Sequence, residues 1–126
     1  MTTQYLLRYF FEWGGPCLWA NNDAACDRFG IGGVNLDDLP VSDATKRRAE
    51  ELTAWHDLSL NQDYPPDPGP WRQDECDRFN RASLELFHTL HNELGSDYDV
   101  VDEQLPLSED PNRDEYLKDP QGYRKS

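Results

Sequence analysis

Glu85, His88 and His91 recur at every third residue, a spacing that can set one carboxylate and two imidazoles along a helix toward a metal ion. Their placement argues against that use. Relative to the apolar stripe of the same segment, Glu85 and His88 lie about 150° from its centre and His91 about 90°, which turns the set toward water. A polar outer face, with Arg81, Glu85 and His88 interacting at helical spacing, is the simpler reading. His56 precedes Asp57, but neighbours on a helix diverge by about 100°, so the two cannot act on each other as a general-base pair. His56 leans toward the core, where a neutral imidazole satisfied by a buried hydrogen bond is expected. Cys17, Cys26 and Cys76 make an odd count without CxxC or Cys/His pairs. Reduced thiols in a cytosolic protein are expected, with neither a disulfide framework nor zinc. Gly-x-Ser-x-Gly and the phosphate-binding loop are absent, so hydrolase and nucleotide chemistry have no positive support and no cofactor is expected.

The elements that must carry these residues follow from periodicity and punctuation. Residues 5–12 (YLLRYFFE) favour β structure and run through Gly14 and Gly15 into the apolar stretch 17–20, the pattern of a hairpin. A two-residue period puts Tyr5, Leu7, Tyr9 and Phe11 on one face and Leu6, Arg8, Phe10 and Glu12 on the other. The first set should meet the helices. Asn21 or Asn22 caps a short helix over 23–29 that Gly30 closes, and Ser42 caps a longer one over 43–60. On that helix Ala49, Leu52, His56, Ser59 and Leu60 cluster, with Trp55 on the flank and Glu50 and Asp57 pointing away. Four prolines in 64–71 (YPPDPGPW) predict a rigid connector anchored by Tyr64 and Trp71. The best helix signal is 73–94, where Cys76, Phe79, Ser83, Leu86, Phe87, Leu90 and Leu94 form one stripe ended by Gly95. Arg72 stands where a Ser, Thr or Asp cap would help, so the start of this helix lacks a cap of its own. A last strand over 98–104 completes an α+β fold: a small antiparallel sheet, made of the N-terminal hairpin and the C-terminal strand, with two main helices packed on one face. Residues 1–104 are expected to form one compact domain. Residues 105–126 read as a polar, extended tail docked only locally through Leu105, Leu107, Tyr116 or Leu117, or mobile.

Charge narrows the partners. Twenty-five Asp and Glu face twelve Lys and Arg among 126 residues, a formal charge of −13. Direct nucleic-acid binding draws its affinity from cations on phosphates and is not expected here, whereas such a field attracts cationic partners from a distance. No segment approaches the ~20 apolar residues of a bilayer span, and MTTQYLL lacks the features of a cleaved secretion signal. Asp37, Asp38, Glu50, Asp57, Asp63, Asp67, Asp74, Glu75 and Asp77 should gather near the helix starts and connectors. Combined with Trp13, Trp19 or Trp71, they would make an interface with an apolar centre and a charged rim. Each acid also has an ordinary structural role; Asp74, Glu75 and Asp77 suit any helix N-terminus.

At YFFEWGGPCLWA, AWHDLSLNQDYPPDPGPW and ECDRFN the chain resembles a group of small acidic bacterial proteins, a similarity covering roughly residues 5–104. Their general type is the immunity protein of a bacterial toxin system, a class defined by role rather than by one fold. The resemblance carries no residue roles. It implies a cytosolic inhibitor that occludes a basic toxin or nuclease domain. Two other readings compete with it: a metal-binding protein or enzyme using Glu85, His88 and His91, or His56 with a carboxylate supplied by the fold; and a structural subunit that self-associates through its aromatic strand face.

Overall fold

The computed structural model describes residues 3–64, 66–120 and 122. Strand β1 (Tyr5–Tyr9) and strand β2 (Leu18–Ala20) form the expected hairpin, pairing antiparallel from Leu7 opposite Ala20 to Tyr9 opposite Leu18. Helix α1 (Asp23–Phe29) begins at Asn22, whose side chain accepts the Ala25 N–H, and ends at Gly30 with φ 93°. A 3-10 turn (Leu36–Asp38) leads to helix α2 (Asp43–Asp57). Then follow the connector, helix α3 (Gln73–Leu94), strand β3 (Tyr98–Asp102) and helix α4 (Arg113–Lys118).

The fold is α+β, with β1 at the centre of a three-stranded sheet in the order β2-β1-β3. The sheet is mixed, not wholly antiparallel: β3 runs parallel to β1, in register from Tyr5 opposite Tyr98 to Tyr9 opposite Asp102. The direction is set by where α3 stops. Its C-cap Gly95 (φ 79°) lies beside the start of β1, since the Asp97 carbonyl accepts the N–H groups of Gln4 and Tyr5. The chain therefore enters β3 at the same end as β1. Parallel neighbours require such a long crossover, and α2 with α3 supplies it.

One face of the sheet packs on the helices, as the alternation in 5–12 requires. Leu7, Tyr9, Phe11, Leu18 and Val100 are buried against Leu52, Phe79, Leu86 and Leu90. Tyr9 is fully enclosed and donates its hydroxyl to the Ser83 carbonyl at 2.7 Å, so the polar end of a core aromatic is satisfied on α3. Phe79 is the aromatic hub: Phe11, Trp55 and Trp71 stand 5.2, 5.2 and 5.4 Å from its ring centre.

Both main helices take caps that their own sequence only partly supplies. Ser42 Oγ accepts the Thr45 N–H at the start of α2, as predicted. Glu93, from the end of α3, adds a carboxylate that accepts the Ser42 N–H at 2.6 Å and the Thr45 hydroxyl at 2.5 Å. These bonds hold the Glu93 pKa below the ordinary carboxylate value. At α3 the missing cap at Arg72 is replaced from a distance, because Glu109 accepts the Gln73 N–H and donates its own N–H to Gln73 Oε1.

Helix α2 ends at Asp57, three residues before the expected Leu60, because residues 58 and 59 bond back in shorter turns to Trp55 and His56. In the connector Asn61 accepts the N–H groups of Asp63 and Tyr64 and donates to the Pro68 carbonyl; Pro65 lies outside the described residues. Gly69 is required there, since a Cβ would stand 2.3 Å from the Ser59 carbonyl oxygen. Beyond β3, Leu107 exchanges two hydrogen bonds with the Asn80 side chain, Arg113 Nε donates to the Pro70 carbonyl, and Tyr116 of α4 is buried. Leu105 and Leu117 stay exposed, while residues 121 and 123–126 of the expected tail lie outside the described residues.

Candidate partner interface

The turn between β1 and β2 projects a tryptophan. Gly14 adopts φ 77°, a conformation open to glycine, and its N–H donates to Asp57 Oδ1 at 3.0 Å; the Gly15 N–H closes the turn on the Glu12 carbonyl. Trp13 is 52% exposed. It is nevertheless held in place: its indole N–H donates to Ser59 Oγ at 3.0 Å and its ring stacks on His56 at 5.8 Å. An aromatic fixed before a partner arrives loses little further freedom on binding.

Three depressions meet at this turn. The first, about 610 Å³, runs between α2 and the segment after β2; its floor includes Pro16, Val34 and Ala49, and its walls bear Asp37, Glu50 and Asp57. Lys46 is the one base lining it among the described residues, and Asp37 and Asp43 lie within 3.9 Å of its ammonium. The second, about 430 Å³, lies between the end of β1 and the residues after β3, with Phe10, Glu12, Trp13, His56, Glu103 and Leu105 among its lining. The third, about 350 Å³, has Trp13, Leu107, Glu109 and Asp110 on its walls. The indole lines the second and third of these with Glu12, Glu103, Glu109 and Asp110, and Arg8 shares the second with Glu103.

The structure sorts the expected site residues. Asp37, Glu50 and Asp57 line the first depression with Gly15 of the turn, while Trp13 lines the second and third. Asp38 is exposed on the 3-10 turn beside Asp37 without lining the groove. Trp19 is half-buried on the outer sheet face, stacked on Phe10 at 4.9 Å with its N–H on the Phe10 carbonyl. Asp63 lies exposed on the connector, and Asp74 and Asp77 are exposed in the first turns of α3, where Asp77 accepts from Gln73 Nε2. Two residues leave the surface set. Trp71, 7% exposed, packs on Phe79 and Trp55, and Asp67 is 8% exposed within the connector. Glu103, Glu109 and Asp110 are not singled out by sequence, whereas Glu12 lies on the strand face, shared with Arg8, that the sequence reads as partly covered or offered to a partner. The first three become neighbours only through the path of the chain after β3.

The groups with chemical potential stand elsewhere or are subdued. His56 is 5% exposed, and its Nδ1 has no hydrogen-bond partner, contrary to the expected satisfied imidazole. Rings enclose it instead: Phe11, Trp13 and Phe79 lie within 5.8 Å. Burial pushes its pKa below the ordinary value, opposed by the Asp57 carboxylate. All three cysteines are free, and burial pushes the Cys17 thiol up to about 12, which keeps it protonated. Glu85, His88 and His91 are exposed on α3. Among the described residues no group of three or more His, Cys, Asp or Glu is arranged to hold a metal ion, and no helix is long and apolar enough to cross a membrane.

A small α+β scaffold that presents a fixed indole within an acidic rim has the anatomy of a protein-recognition module. Over residues 6–104 the chain matches the profile of the Serratia CdiI immunity protein-like family, and it belongs to that family. Comparison with curated proteins gave no match. Membership places the chain with immunity proteins, whose role is to bind and neutralise a toxin.

Proposed function

We propose that this protein neutralises a basic toxin domain, such as a nuclease with a cationic cleft, by covering its working surface in the cytosol. The observation that carries the reading is Trp13, half-exposed yet pinned by Ser59 and His56, on the walls of two depressions that also bear carboxylates. Tight complexes concentrate their affinity in a few central aromatics, and a charged rim contributes orientation and encounter rate. The described carboxylates around the turn fit that division. Asp37, Glu50 and Asp57 edge one groove, and Glu12, Glu103, Glu109 and Asp110 edge the other two. Asp38, Asp63, Asp74 and Asp77 extend the same sign of charge along the surface. No step of covalent chemistry is needed, because occlusion alone inactivates a toxin whose substrate must reach the same surface.

The test is binding to the product of the adjacent gene, taken as the candidate toxin. Wild-type protein should bind it and block its activity in a stoichiometric titration. Trp13→Ala should weaken the complex by about 2–4 kcal/mol, chiefly through faster dissociation. Unchanged affinity in Trp13→Ala would remove the turn from the interface.

A further inference from the structure

We infer that the cleft beside Trp13 receives an arginine side chain of the toxin, its guanidinium on the indole and against the Glu12 carboxylate. The inference rests on the toxin-binding reading and adds the chemistry of the contact. The cleft already shows how it holds such a group. Arg8 lies over the Phe10 ring at 5.0 Å while its Nε and Nη2 both donate to Glu103 Oε1, at 2.9 and 2.7 Å. That arrangement combines an aromatic face with a carboxylate. Trp13 and Glu12 repeat the pair of ingredients on another wall, without a cation of their own: Glu12 is exposed and makes no ion pair among the described residues.

Three properties select arginine. Indole offers the strongest ring face to a cation, and a planar guanidinium can stack on it while forking onto a carboxylate. The aliphatic stem has apolar walls in Leu105 and Leu107. Behind the indole stands His56, nine-tenths buried with an unpaired Nδ1, and burial favours its neutral form, so no positive charge backs the ring that the guanidinium must approach. A lysine ammonium, a compact and strongly hydrated charge, would use the stacking surface less well.

The experiment titrates isotope-labelled full-length protein with N-acetyl-L-arginine amide and, separately, with the uncharged analogue N-acetyl-L-citrulline amide. It follows the Trp13 indole N–H and the His56 ring by NMR. Saturable shifts with a dissociation constant of about 1–10 mM are expected for the arginine compound. The citrulline compound should bind at least about fivefold more weakly, and Glu12→Gln, a change at an exposed site, should bring the first down to the level of the second. No shifts, equal shifts from both compounds, or indifference to Glu12→Gln would overturn the inference. Toxin binding by the same proteins separates the two claims. If the toxin binds in a Trp13-dependent manner and the arginine compound does not, the arginine contact falls and the immunity reading stands. If the compound binds and the toxin does not, the assignment to the toxin falls.

Discussion

Trp13 and His56 show how little of a site's chemistry resides in residue type alone. The HD pair at 56–57 suggests a base with its carboxylate, yet the structure uses the imidazole as a buried ring that backs Trp13, and uses Asp57 to fix the Gly14 N–H. The inward lean of His56 was readable from helical periodicity. Its unpaired Nδ1 was not, because the enclosing rings come from the residues just after β1, the turn and α3. The depressed pKa has a consequence with a definite sign. At pH values between the folded pKa and the ordinary 6.5, the unfolded chain binds more protons than the native one. The His56 contribution to stability is therefore complete above about pH 6.5 and declines as pH falls through that window. Urea melts of wild type and His56→Phe should diverge in pH dependence there; parallel curves would exclude His56 as the titrating group. Tyr9→Phe tests a different buried contact: it removes the hydroxyl's bond to the Ser83 carbonyl, which keeps its helical donor within α3, and should cost about 0.5–1.5 kcal/mol in the same assay.

Helices α1 and α3 and the β1–β2 hairpin were legible in sequence because each has strong local signals: Asn22 and Gly30, a seven-membered stripe closed by Gly95, and alternation broken by glycines. What sequence could not give is the long-range part of each element. The direction of β3 depends on which end of the sheet α3 returns to, and the cap of α3 arrives from Glu109, thirty-six residues beyond Gln73. The start of α2 is likewise fastened from the last turn of α3 by Glu93. Glu93→Ala should lower stability by about 1 kcal/mol, the usual worth of a cap. Since the folded pKa of Glu93 is depressed, this stabilisation is present above its ordinary value of 4.5 and is lost as pH falls through the folded value. The difference between wild type and Glu93→Ala in thermal melts should therefore shrink in acid. A gap that persists at the lowest pH would assign the effect to packing.

Across the molecule, the charge of −13 was plain from composition, and it favours cationic partners over direct nucleic-acid binding. The distribution was less accessible. Sequence spacing grouped Asp67 and Trp71 with the surface residues, whereas the connector turns both inward; it omitted Glu103 and Asp110, which the path after β3 carries to the clefts beside Trp13. Family membership gives the role, and the proposed interface around one fixed indole would supply a physical route to it. The most direct test is the association rate constant with the toxin domain, measured from low to high salt. Electrostatic steering predicts a rate near ~10⁸–10⁹ M⁻¹s⁻¹ at low ionic strength that falls steeply as salt is added. A rate indifferent to salt, or no association at all, would contradict the account.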